Sequence, residues 1–242
     1  MSQDVSRDVD PTNPAGPDEG TPALAPFNAV AVRDTDTSRI GLPDNDSATA
    51  RHVFGNPEAE VCIVEFGDYE CPYCAGAAPV LHEVVEASDG RVRLVFQNFP
   101  LFETHAFALT AALAAESAEA TGGPEVFWKM HHKLFKNQSR LTDADLRLYA
   151  GYVGADPERA TGEAAQEFAP LVQADYAAGV ASGVSGTPTL FIDGAAYQGV
   201  VDVPSLRRAT SGRRSDGTAG ATGMAGTTGG SAGGLRRFFG RG

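Results

Sequence analysis

A chain of 242 residues with 42% apolar and 21% charged residues can bury a substantial core and has an ordinary globular composition. Nineteen basic residues against 31 acidic ones give a formal charge of −12, which excludes a general nucleic-acid binder, a class that needs a basic face. Three cysteines are too few for a disulfide-stapled scaffold, and no apolar run reaches the roughly 18 residues of a transmembrane segment.

The charge is uneven. Residues 1–57 hold 9 acids and 4 arginines, residues 58–204 hold 21 acids and 8 bases, and residues 205–242 hold 1 acid and 7 arginines. The nets are −5, −13 and +6, so the middle of the chain is the acidic body.

Residues 1–51 read as a disordered acidic arm, rich in Asp, Pro, Thr, Ser and Asn with no sustained apolar period. Asp4, Asp8 and Asp10 stand where a secretory signal would carry basic residues and then an apolar stretch. A cytoplasmic location is therefore expected, or an extracytoplasmic one if the true start lies elsewhere or export takes another route.

Residues 61–66, Val-Cys-Ile-Val-Glu-Phe, form an almost continuous apolar run, as in a strand buried on both faces. A helix follows Cys71 and runs to residue 88, where Asp89-Gly90 ends it. Residues 91–99 alternate into a second strand. Strand, helix and strand with short joints make a βαβ unit with a parallel pair.

Residues 104 to 182 read as helical throughout. The first helix covers 106–120, and Pro124 opens a second. Thr142 and Asp145 form a capping box for a third, and Asp156-Pro157 opens a last helical region up to residue 183. Residues 189–193 and 196–201 then flank Asp193-Gly194, a hairpin signal, and 206–209 make a short closing helix. Residues 211–242 have the Gly, Thr, Ser and Ala composition of a flexible tail, ending on a basic–aromatic tip.

The chemistry centres on Cys71-Pro72-Tyr73-Cys74, at the junction of the first strand and first helix. Unpaired backbone N–H groups and the partial positive charge of a helix start stabilise a thiolate there. The first cysteine of such a pair faces outward and the second lies one turn inside. Cys71 is thus the expected nucleophile and Cys74 the resolving thiol. A zinc half-site would need a second pair of ligands that the chain lacks, so no metal or other cofactor is expected.

Phe66-Gly67-Asp68-Tyr69-Glu70-Cys71-Pro72-Tyr73-Cys74, Phe127-Trp128-Lys129-Met130-His131 and Gly183-Val184-Ser185-Gly186-Thr187-Pro188-Thr189 together resemble the thioredoxin superfamily, in its disulfide-bond protein A-like (DsbA-like) branch. The resemblance spans roughly residues 52–208. It implies an α/β, thioredoxin-like fold with an all-helical insertion between the βαβ half and the C-terminal β-hairpin half. The expected parts are the arm 1–51, a thioredoxin-like domain of 52–103 and 184–210, the helical insertion 104–183, and the tail 211–242.

The resemblance also implies a cis Thr187–Pro188 bond abutting the cysteines, with Thr187, Pro188, Pro72 and Tyr73 contacting a client chain. Glu65 stands where the family places a buried acid beneath the disulfide, with a raised pKa and a proton to exchange with Cys74. Cys62 is expected to be a core residue, and Trp128 core between the two domains. His105 lies in a stretch like the family's Pro-Leu-x-x-x-His segment, although Ala106 replaces the proline that often follows. His131 and His132 are expected in structural or surface roles.

The implied function is thiol–disulfide exchange with protein clients, together with an unidentified redox-recycling partner. Two alternatives stay open. One is a glutathione-dependent, glutaredoxin-like enzyme, because Pro-Tyr is that family's dipeptide. The other is a redox-sensing or docking module, since related domains occur attached to sodium/proton antiporters. The net direction of exchange is not legible in the sequence.

Overall fold

The computed structural model describes residues 50–211, so most of the acidic arm and nearly all of the Gly-rich tail lie outside the described residues. The elements run β1 (Val53–Gly55), β2 (Val61–Gly67), α1 (Pro72–Glu86), β3 (Val92–Asn98), α2 (Ala108–Gly122), α3 (Pro124–Lys136), α4 (Asp143–Val153), α5 (Gly162–Ala165), α6 (Ala169–Ala181), β4 (Thr189–Ile192), β5 (Ala195–Ala196) and α7 (Val203–Ser211). The five strands form one sheet in the order β1-β3-β2-β4-β5. β2 and β3 pair in parallel, joined by α1, and the other neighbours are antiparallel. This is the expected α/β, thioredoxin-like arrangement, with α2 to α6 inserted between its halves.

Every residue of β2 is buried, which explains its unbroken apolar run. Alternation along the strand divides it between two cores. Val61 and Ile63 join the larger cluster with Leu81 and Val84 of α1, Phe127 and Leu134 of α3, and both Cys71 and Cys74. Cys62, Val64 and Phe66 face the other side with Val95, Phe99, Val184 and Phe191. Period two therefore sends Glu65 to the face that carries Cys71 and Cys74, and Cys62 to the opposite one. Cys62 is a core residue, 2% exposed.

The helical block departs from the sequence reading in its second half. The region after Asp156 is not continuous: two short 3-10 turns, Pro157–Arg159 and Gln166–Phe168, bracket the four-residue α5 before α6 begins. Gly162 has φ +68°, a left-handed conformation that cannot continue a right-handed helix. The second hairpin strand is only Ala195–Ala196, rather than reaching residue 201. Conversely, the closing helix is longer than four residues, because Asp202 Oδ1 accepts from Ser205 N at 2.7 Å and caps it.

Trp128 is buried and donates its Nε1–H to Val53 O at 3.0 Å. It thus ties α3 to the β1 edge. The capping box at α4 is formed: Thr142 Oγ1 accepts from Asp145 N at 3.4 Å and donates to Asp145 Oδ2 at 2.7 Å. Thr142→Ala is expected to cost about 1 kcal/mol, read as a lower denaturant midpoint with an unchanged m-value.

A polar network stitches the start of the described chain to α2, α6 and the end of β3. Arg51 pairs with Glu116 and Asp175, each at 2.6 Å, and Asn98 Nδ2 donates to Glu116 Oε1 and Asp175 Oδ2. His52 stacks on Phe127 at 3.8 Å, and its Nε2 lies 2.8 Å from Glu119 Oε2. Burial pushes the His52 pKa down, but bonds to Glu116 and Glu119 outweigh it and raise it to about 9. This imidazolium anchors the segment before β1.

Candidate functional site

Cys71 is the N-cap of α1 and Pro72 takes the first helical position. Cys71 has extended backbone angles (φ −72°, ψ 120°) and donates its N–H to Asp68 O at 3.1 Å. Cys71 and Cys74 are not bonded to each other and both are buried, at 3% and 0% exposure, so Cys71 does not face outward as its place in the pair predicts. Cys74 lies one turn into the helix, within the main core. Tyr73 between them is 76% exposed and Pro72 is exposed beside it.

The Thr187–Pro188 bond is cis. It brings Thr187 against the cysteines: the Cys71 Sγ–H donates to Thr187 O at 3.4 Å. Thr187 precedes β4, which pairs with β2 in a register that sets Thr189 opposite Phe66 and Leu190 opposite Glu65. Sheet pairing thus carries residues 116 positions away to the helix start.

A hydrogen bond from Cys74 is the chief cause that lowers the Cys71 pKa, to about 5. Burial opposes it, and Thr187 with the N–H groups of Cys74 and Tyr73 reinforces it. Cys74 moves the other way, pushed up by its bond to Cys71, then by burial and the Glu65 charge. Glu65 is fully buried with neither carboxyl oxygen hydrogen-bonded within the protein. Burial, and then the Cys71 charge, raises its pKa to about 8.

Two supports were not legible in the sequence. Gln138 Nε2 donates to Tyr69 O at 2.9 Å and Cys71 O at 2.8 Å, clamping the loop that precedes α1. Asp68, 1% exposed, accepts from Glu70 N, from Leu101 N and from His105 Nδ1 at 2.8 Å. Burial lowers the His105 pKa, yet Asp68 leaves it raised overall. His105 therefore sits near Cys71, held by an acid that local spacing does not connect to it.

The remaining candidates fall elsewhere. His131 is buried, with Nδ1 3.3 Å from the Tyr69 hydroxyl, and exposed His132 contacts His82 at 2.9 Å. Among the described residues, one group of donor atoms converges closely enough to suit a cation: His52, Glu116 and Glu119, within 4.8 Å of one another. It contains neither cysteine, and its charges already pair with each other and with Arg51. No described helix is long and apolar enough to cross a membrane.

A thioredoxin family model matches residues 47–210. Among curated proteins, the Na(+)/H(+) antiporter NhaA 1 of Salinispora arenicola is 38% identical over 168 residues, covering 69% of this chain and 24% of the antiporter. That of Mycolicibacterium gilvum is 35% identical over 161 residues, covering 65% and 26%. The chain thus spans about a quarter of the length of these relatives. Among solved structures, BdbD from Bacillus subtilis superposes with a TM-score of 0.62 at 26% identity, covering 71% of this chain and 95% of that one. A thioredoxin-like oxidoreductase from Silicibacter pomeroyi does so at 0.58 and 32% identity, covering 69% and 95%.

Proposed function

The chain belongs to the thioredoxin superfamily, in its DsbA-like branch, and on that premise we propose that it is a protein thiol–disulfide oxidoreductase working through Cys71 and Cys74. The observation that carries the reading is the opposed environment of the two thiols, one held as a thiolate at a helix start and the other buried and protonated beside Glu65.

In the reducing direction the Cys71 thiolate attacks one sulfur of a client disulfide. A mixed disulfide forms and the other client sulfur leaves as a thiolate. Cys74 then gives up its proton and attacks Cys71 Sγ. The Cys71–Cys74 bond forms, the second client thiolate departs, and two electrons have passed to the client. The oxidising direction runs the same steps backwards. Thr187 and Pro188, with exposed Pro72 and Tyr73, are the surface offered to the client backbone.

Stabilising the Cys71 thiolate favours the reduced protein and makes its disulfide the stronger oxidant. Equilibration with glutathione is expected to give a potential well above the thioredoxin value of about −270 mV, towards the about −120 mV of a dedicated oxidase. A value at or below about −270 mV would overturn the oxidising direction.

The antiporter relatives support a second reading, in which this site acts as a redox module serving one membrane partner. A Cys74→Ser variant, which stalls at the mixed disulfide, separates the two: many captured proteins indicate a general enzyme, and one indicates the module.

A further inference from the structure

Lys129, Lys133 and Lys136 are the only lysines in the chain, and all three line a single open depression of about 390 Å³ with His132, Tyr152 and Val153. Their spacing of four and three residues sets them in one row on α3, roughly 10 Å long at the helical rise. The rest of the body is strongly acidic: residues 58–204 hold 21 acids against these three lysines and five arginines.

No ion pair within 4.0 Å is formed by any of the three among the described residues. Glu125 lies one turn before Lys129, and Asp145 at the start of α4 is held by Arg140. Lys133 rests on aromatic faces instead, 4.6 Å from the Tyr152 centroid and 5.3 Å from that of Tyr149. Three neighbouring ammonium groups repel one another, and Glu125 is the one acid of α3 itself. Tyr152 and Leu148, one turn apart on α4, are 79% and 60% exposed, so the basic row has an apolar border.

The C-terminal end of the row runs towards the cysteines. Two residues beyond Lys136, Gln138 holds the carbonyls of Tyr69 and Cys71. We propose that this face of α3 and α4 docks an acidic, extended segment of a protein client and presents its neighbouring thiol or disulfide to Cys71. Same-face residues of an extended chain repeat every ~6.7 Å, so two acids at alternate positions fit within the row. The acidic remainder of the surface repels such a segment, which leaves this face to receive and orient it. The inference rests on the oxidoreductase reading and adds the class of client.

The test compares full-length protein with a variant carrying Lys129→Gln, Lys133→Gln and Lys136→Gln. The substrates are two peptides with one disulfide each, one flanked by alternating aspartates and one by asparagines in the same places. For the unaltered protein, kcat/KM is expected to be about tenfold higher on the acidic peptide at low salt, with the ratio falling towards one as salt screens the contact. The triple variant is expected to bring the ratio to one and leave the asparagine peptide unchanged, and Lys→Arg at all three positions to restore the preference. A ratio of one in the unaltered protein, or a preference that survives in the triple variant, would overturn the inference.

If neither peptide is turned over, the oxidoreductase reading fails while docking is still decided by titration with the aspartate peptide carrying serines for cysteines. Lysine-dependent, salt-sensitive binding of that peptide supports the inference, and none overturns it. Adsorption to phosphatidylglycerol vesicles that depends on the lysines, without any peptide preference, would assign the face to a membrane surface instead.

Discussion

Alkylation of reduced Cys71 by iodoacetamide is expected to run at a nearly constant rate from about pH 8 to about pH 6 and to halve near pH 5, where the thiolate takes up its proton. An ordinary cysteine, with a pKa of about 8.5, would lose about tenfold for each pH unit over that range. Cys71→Ser removes the nucleophile and is expected to return exchange to the uncatalysed background. The chief cause of the lowered pKa is the bond from Cys74, so Cys74→Ala should move the midpoint upward. Cys74→Ser, which keeps a donor, should move it less.

The same shift makes the stability of the reduced protein depend on pH. A group whose folded pKa lies below its unfolded value adds stability that is complete above the unfolded pKa and lost as pH falls through the folded one. Between about pH 9 and about pH 5 the reduced form should therefore lose melting temperature relative to the disulfide form, which has no thiolate. A midpoint near pH 8.5 in alkylation, or a reduced-minus-oxidised difference that is flat across the window, would refute the thiolate assignment.

The parts of this site that could be read in the sequence are those whose cause is local. The strand-to-helix junction at Cys71, the proline at the first helical position, the cap at Thr142 and the two-faced burial of β2 each follow from a few adjacent residues. Glu65 was legible as a candidate through the resemblance, which places a buried acid six residues before Cys71. Gln138 and the Asp68–His105 pair were not: each acts across 37 residues or more, and nothing in their own neighbourhoods marks them. β1 is unmarked in the sequence for the same reason. It is three residues long, too short to show a period, and its pairing to β3 with the anchoring of Arg51 and His52 decides its conformation. The break at Gly162 is not marked either, because apolar spacing continues past it while the backbone does not.

Glu65→Gln is expected to slow release of the mixed disulfide by about two orders of magnitude, the lower range for losing a general base, while leaving the first attack by Cys71 nearly unchanged. The reason lies in how the groups affect one another through one turnover. Before attack, the Cys71 thiolate keeps Glu65 protonated by its charge and adds to the burial that already disfavours the carboxylate. Once Cys71 is bonded to the client its charge is gone, and both Glu65 and Cys74 lose one of the influences that hold their protons. Glu65 can then ionise, accept the Cys74 proton directly or through water, and free the sulfur that must attack. Single-turnover release measured between about pH 6 and about pH 9 is expected to rise through an inflection at or below about pH 8 in the unaltered protein, and that inflection should vanish in Glu65→Gln. Glu65→Leu tests the structural side of the same residue. It replaces a buried carboxyl that no protein group satisfies with an apolar side chain of similar volume, and should stabilise the fold by about 1–3 kcal/mol while losing the release step. A variant that is less stable, or that releases client at the normal rate with the inflection intact, would show that Glu65 serves packing and not proton transfer.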